Sequence, residues 1–171
     1  KVNENEIVVD IGAAEGNFAL SIVEQAGKIY LFERDNEWIE ALKETFAPWK
    51  EKVEIINKFV SDKNDSENIT LDSFFEKKGE IDFLKIDVEG AETKLLNGSL
   101  KVLTTSKSLK LAICVYHNHD DEIKFSELLK DTGFNVSFSK GYMIYTNDKD
   151  IKPPYLRRGL IRAQNTQFFN T

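Results

Sequence analysis

Short apolar runs alternate with amphipathic stretches along nearly all of the 171 residues. "EIVVDI", "KIYLFE", "KVEIINKFV", "IDFLKID" and "LKLAICVY" read as strands. Between them, "GNFALSIVEQA", "DNEWIEALKETFA", "LDSFFEKKG", "AETKLLNGSLKVL" and "DDEIKFSELLKDTG" read as helices, the first and second with clear apolar faces. Parallel strands need a long crossover between them, and a helix supplies it. The expected fold is therefore α/β: a mostly parallel, Rossmann-like sheet with helices on both faces. "LKLAICVY" is apolar nearly throughout, as a strand covered on both faces should be. "FNVSFS", "KG" and "YMIYT" read as a C-terminal hairpin on a two-residue turn, which makes at least one strand antiparallel. "SDKNDSENIT" reads as a surface loop, and no repeat or linker divides the chain, so one domain spans 1–171.

Bulk properties exclude several functions. The net charge of −6 argues against a broad phosphate-binding face, hence no nucleic-acid partner. Basic residues gather in "IKPPYLRRGLIRAQ" (Lys152, Arg157, Arg158, Arg162), which reads as a solvated tail, or else as a contact to an anionic substrate or partner. No run of ~18 apolar residues is present, so no membrane span is expected. The single cysteine, Cys114, sits in an apolar run and suits a reducing, cytoplasmic setting. The chain opens at Lys1 rather than Met and enters a strand by Ile7, so an upstream segment is expected.

The first strand–helix junction, "VVDIGAAEGNFAL" (8–20), carries the most chemistry. In an open α/β sheet, ligands bind beyond the carboxyl ends of the strands where strand order reverses, and the first strand normally sits there. Asp10 closes that strand and should face the site. Gly12 and Gly16 let backbone turn tightly and approach closely. The G-x-x-x-G spacing is neither the dinucleotide G-x-G-x-x-G nor a P-loop, so a ligand without phosphates fits better. Asp10 and Glu15 favour a cation or an amine. Glu33 ends the second strand, where a carboxylate can accept from both ribose hydroxyls, though a solvated strand end is the plain alternative. Val60, Ser61 and Asp62 follow the third strand and can flank an adenine. A nucleoside with a cationic amino-acid tail and no phosphate is S-adenosylmethionine.

"IDFLKIDVEGAE" and "VYHNHDD" form a second constellation at neighbouring strand ends. They bring Asp87, Glu89, Glu92, Tyr116, His117 and His119 to the place a methyl acceptor must occupy. An alcohol is a poor nucleophile while protonated, and His117 suits the role of general base. Asp87 and Glu89 are hard-cation ligands in type, which admits a divalent metal holding the acceptor. Glu89 and Glu92 have an alternative as helix caps, and His119 as part of an N-cap region.

"VVDIGAAEGNFAL", "YLFERD", "LDSFFEKKGEIDFLKIDVEGAE" and "LAICVYH" together resemble the FkbM-type S-adenosylmethionine-dependent methyltransferases, in order from about Ile7 to about Tyr145. "DFLKIDVEGAE" is the most specific part. The resemblance implies a class I methyltransferase fold of seven strands with the last antiparallel, and O-methylation, often of sugar or polyketide hydroxyls. It implies that Asp10, Gly12, Ala13, Gly16 and Glu33 carry the cofactor, with Phe18, Arg34, Ser61, Asp62 and Asp87 completing the expected set. It places Asp87 and Glu89 in the family's core motif and His117 in its fifth-strand motif. Many members have Glu-x-His at that strand end, whereas Tyr116 precedes His117 here, which weakens a metal role. The expected acceptor is a small molecule or glycan. A nucleoside-binding module without catalysis, or an NAD-linked oxidoreductase on the same fold, are the competing readings.

Overall fold

A computed structural model describes residues 1–146 and 151–165. The chain opens with β1 (Ile7–Ile11), α1 (Asn17–Ile22), β2 (Lys28–Phe32), α2 (Asn36–Thr45) and β3 (Val53–Ile56). The Asp35 side chain caps α2 by accepting from the Glu37 amide at 2.8 Å. A small ladder follows, β4 (Phe59–Val60) beside β5 (Asn68–Ile69), and then α3 (Leu71–Phe75), β6 (Phe83–Ile86), α4 (Glu92–Asn97) and α5 (Leu100–Thr105). The chain ends with β7 (Lys110–Cys114), α6 (Asp121–Asp131), β8 (Phe134–Phe138), β9 (Tyr142–Met143), β10 (Arg157–Arg158) and β11 (Leu160–Asn165).

Seven strands form one sheet in the order β3-β2-β1-β6-β7-β11-β8. β3, β2, β1, β6 and β7 are mutually parallel, while β11 runs antiparallel to both β7 and β8. The chain winds outward from β1 to β3, then returns to lay β6 on the other side of β1. Strand order therefore reverses between β1 and β6, which puts the ligand crevice at their carboxyl ends.

Side chains alternate between two cores. Val9, Ile11, Tyr30, Phe32, Leu84, Ile86, Leu111 and Ile113 pack with Leu71, Leu95, Leu103, Phe125 and Leu129 from α3 to α6. Val8, Ile29, Leu31 and Phe83 pack with Ala19, Ile22 and Leu42 from α1 and α2. Helices thus lie on both faces, but the second face is covered mainly over β1 to β3. Among the described residues, no helix is long and apolar enough to cross a membrane.

The structure corrects four readings of the sequence. β7 alternates between half-buried and buried residues, so only one of its faces is packed. Its apolar character arises because Ala112 and Cys114 are small and merely half-covered. The "KVEIINKFV" run breaks after Ile56, where the Lys58 amide turns back to the Ile56 carbonyl. Phe59 and Val60 then pair with Asn68 and Ile69, inside the expected loop. The "KG" hairpin does not form between β8 and "YMIYT": β8 pairs with β11, and the antiparallel hairpin joins β9 to β10. The basic tail is solvated only in part: Lys152 and Arg162 are exposed, but Arg157 is buried, and Ile161, Ala163 and Asn165 alternate into the core as β11.

Candidate active site

Gly12 to Gly16 form a loop pinned at both ends. The Gly12 and Ala13 amides donate to the Phe32 carbonyl at 3.0 and 3.2 Å. Glu33 Oε2 accepts from the Ala14 amide at 2.8 Å, while its Oε1 accepts from the Arg34 and Asp35 amides at 2.6 and 2.9 Å. Gly12 has φ 76°, and a Cβ there would stand 1.8 Å from the Asp87 carbonyl oxygen. Only glycine lets the loops after β1 and β6 meet. Ala14 also takes a left-handed φ of 45°, held by the amide bond to Glu33.

Asp10 lies on β1 directly beside Lys85 on β6. Lys85 Nζ reaches Asp10 Oδ1 at 2.8 Å and the Gly12 carbonyl at 2.9 Å. Asp10 is fully buried, and its Oδ2 has no partner. Burial pushes its carboxyl up to about 6 against the pull of Lys85, with Asp87 and Glu33 adding repulsion. These three acids are therefore close enough to feel one another. The cation that Asp10 was expected to attract is supplied from within the chain. Sequence reasoning missed Lys85, although a single charge in each of two otherwise apolar strands was the available signal.

The second cluster forms where β6 and β7 end. His117 is 92% removed from solvent by its 8% exposure, and its Nδ1 lies 2.7 Å from Glu92 Oε1. The contact is an ion pair short of good hydrogen-bond alignment. Glu92 is fully buried, and the Val88 amide donates to its Oε1 at 3.3 Å. His117 Nε2 lies 3.6 Å from Asp87 Oδ1, which also accepts from the Tyr116 hydroxyl at 3.0 Å. Burial disfavours the imidazolium, but Glu92, Asp87 and Asp121 outweigh it and hold the His117 pKa above its usual value. Burial likewise opposes ionisation of Glu92, yet its pairing with His117 holds its pKa below the usual carboxylate range. Burial and the neighbouring Asp87 push the Cys114 thiol up to about 12, so it is an inert wall. Tyr145 sets its ring edge-on to His117 at 5.5 Å. Arg157 holds this strand end from beneath, donating to the Tyr116 and His117 carbonyls at 2.7 and 2.9 Å.

The other expected residues fall out as follows. Glu89 is exposed on a left-handed backbone (φ 50°) and is not among the groups that meet His117. Among the described residues, no group of three His, Cys, Asp or Glu side chains is placed to hold a metal, so Asp87 and Glu89 gain no third ligand. Phe18 stacks on Phe83 at 5.7 Å below the loop. Arg34 engages Asn57 and Glu67 at 3.1 and 3.0 Å. Ser61 is buried against Gly98, where a Cβ would meet its carbonyl at 1.9 Å. Asp62 beside it is exposed, and both follow β4 rather than β3. His119 bonds the Lys152 carbonyl and Arg157, a fastening role. Glu92, expected in the acidic cluster with a helix cap as its alternative, is the direct partner of His117, a pairing that only the fold reveals.

The donor set fits an adenosyl sulfonium. Glu33 Oε2 accepts one amide and retains a free lone pair for a ribose hydroxyl. Asp87 is 31% exposed, and the buried Asp10 Oδ2 is unpartnered.

A Rossmann-like sheet with an antiparallel strand inserted before its edge is the architecture of known methyltransferases. SMU.1697c of Streptococcus mutans, solved in complex with SAH, aligns with a TM-score of 0.62 at 17% identity, over 96% of this chain and 91% of that one. Residues 11–136 match the Methyltransferase FkbM domain, and the chain belongs to that family. The crystal structure of methyltransferase FkbM from Methylobacillus flagellatus KT aligns with a TM-score of 0.75 at 16% identity, over 96% of this chain and 44% of that one. A curated relative, "Probable ribosomal RNA small subunit methyltransferase A" of Methanococcoides burtonii, is 38% identical over 56 residues, which are 33% of this chain. The chain thus spans 20% of that relative and 44% of the FkbM structure.

Proposed function

We propose that this domain is an S-adenosylmethionine-dependent O-methyltransferase acting on a hydroxyl of a saccharide or related metabolite. The observation that carries the reading is His117, backed by the buried Glu92 and facing Asp87 at the strand ends beside the pinned loop. When bound, S-adenosylmethionine supplies a methyl carbon made electrophilic by its sulfonium. On this reading Glu33 holds the ribose and Asp87 the amino-acid tail. Glu92 occupies the Nδ1 side of the imidazole, which leaves Nε2 to accept the acceptor's hydroxyl proton. Asp87 then stabilises the imidazolium across 3.6 Å. Such a base contributes roughly 10²–10⁴-fold.

Two half-buried tyrosines, Tyr116 and Tyr145, offer ring faces beside the carboxylate of Asp87, which suits a polyol. The Methanococcoides relative and a neighbour described as an RNA methyltransferase favour RNA as acceptor instead. The acids at the site and the net charge of −6 oppose a phosphate backbone. A nucleoside-binding module without catalysis would leave His117 dispensable.

Labelled S-adenosylmethionine offered with panels of saccharides, metabolite alcohols and RNA tests the reading. The expected result is label in a hydroxyl compound, with His117→Ala lowering kcat ~10²-fold or more and leaving SAH affinity intact. Label in RNA alone, or full turnover in His117→Ala, contradicts it.

A further inference from the structure

Lys85 is a charge that the reading above does not use. It lies on a central strand between Leu84 and Ile86, both fully buried. An ammonium in such a place needs partners. It has two, Asp10 Oδ1 at 2.8 Å and the Gly12 carbonyl at 2.9 Å. An ammonium carries three donors, so one remains, and the side chain keeps 20% exposure beneath the loop. Asp87 follows two residues later on the same face, and the Asp87 amide continues the ladder by donating to the Ile11 carbonyl at 3.0 Å. Beside them, Asp10 Oδ2 is buried and unpartnered.

We propose that Lys85 receives the α-carboxylate of S-adenosylmethionine's amino-acid tail while Asp87 receives its α-ammonium. The assignment rests on the donor reading given above. Asp10, Glu33 and Asp87 would repel a carboxylate entering alone. Lys85 is the cation the structure sets among them, whereas Arg34 is committed to Asn57 and Glu67. The pair Lys85 and Asp87 matches a zwitterion in sign and order, and Asp10 fixes the ammonium of Lys85 in place. Lys85 thereby selects ligands that keep their carboxylate.

Calorimetry with SAH and its decarboxylated analogue tests this on the wild-type protein, Lys85→Met and the double variant Asp10→Asn/Lys85→Met. The double variant removes the buried charge that Lys85→Met would strand. The wild type should prefer SAH by about tenfold or more, the loss expected for one hydrogen bond between charged groups. Both variants should bind the two ligands alike. A preference that survives in the double variant overturns the assignment of the carboxylate to Lys85. A wild type that binds both ligands equally well defeats only the role of Lys85. A wild type that binds neither defeats the donor site as a whole.

Discussion

Glu92 decides what His117 can do. A fully buried carboxylate 2.7 Å from the imidazole raises its proton affinity and occupies its Nδ1 side, which under the proposal leaves Nε2 for the acceptor. The base form of His117 grows as pH rises through a pKa held above its usual ~6.5. The rate of methyl transfer should therefore climb with pH and level off above that point. In Glu92→Gln the charge is gone and burial still disfavours the imidazolium. The inflection should move to lower pH while the plateau rate drops, read from kcat/KM between pH 5 and 9. An unshifted inflection would show that Glu92 does not act through His117. Nothing in "DVEGAE" distinguishes this carboxylate from an ordinary first-turn acid, because its partner lies 25 positions along the chain. The link between Asp10 and Lys85, 75 residues apart, was hidden for the same reason.

Periodicity exposed most elements at the scale of strand and helix. β1, β2, β6 and β7 are four or five residues long and apolar but for one charge each, and α2 carries its Asp35 cap and a following proline, so local signals agree with the fold. β11 was not legible. "LIRAQN" alternates buried and open positions, but half of them are polar and its partners β7 and β8 are set only by the tertiary fold. Arg157, one turn before it, shows why the segment belongs to the site. Its guanidinium fastens two carbonyls of the strand end that carries His117. Arg157→Met should destabilise the fold by about 2–4 kcal/mol, since two charge-assisted bonds are lost and buried carbonyls are stranded. Urea titration checks the figure, and a loss below about 0.5 kcal/mol would return Arg157 to the surface role read from sequence.

Across the whole molecule, chemistry is concentrated at the carboxyl ends of the central strands. The loop after β1 binds to the end of β2 through Glu33, to β6 through Lys85, and touches Asp87 so closely that Gly12 admits no side chain. The base cluster begins at that same Asp87. On the proposed reading, donor and acceptor halves share this one carboxylate. Parallel pairing and a crevice at the end of β1 were readable from sequence, because alternating strands and helices imply the first and such sheets open beside their first strand, whereas the full strand order emerges only from the fold. The uneven covering of the second face was not, because small residues such as Ala112 look apolar whether covered or bare.

A donor site at the carboxyl ends of β1, β2 and β6 is the claim on which the rest stands. Calorimetric titration of the protein with SAH, alongside Glu33→Ala and Asp87→Ala, tests it most directly. Micromolar binding to the wild type, weakened about tenfold or more in each variant, is the predicted result. Binding that is absent from the wild type, or unchanged in both variants, would contradict it.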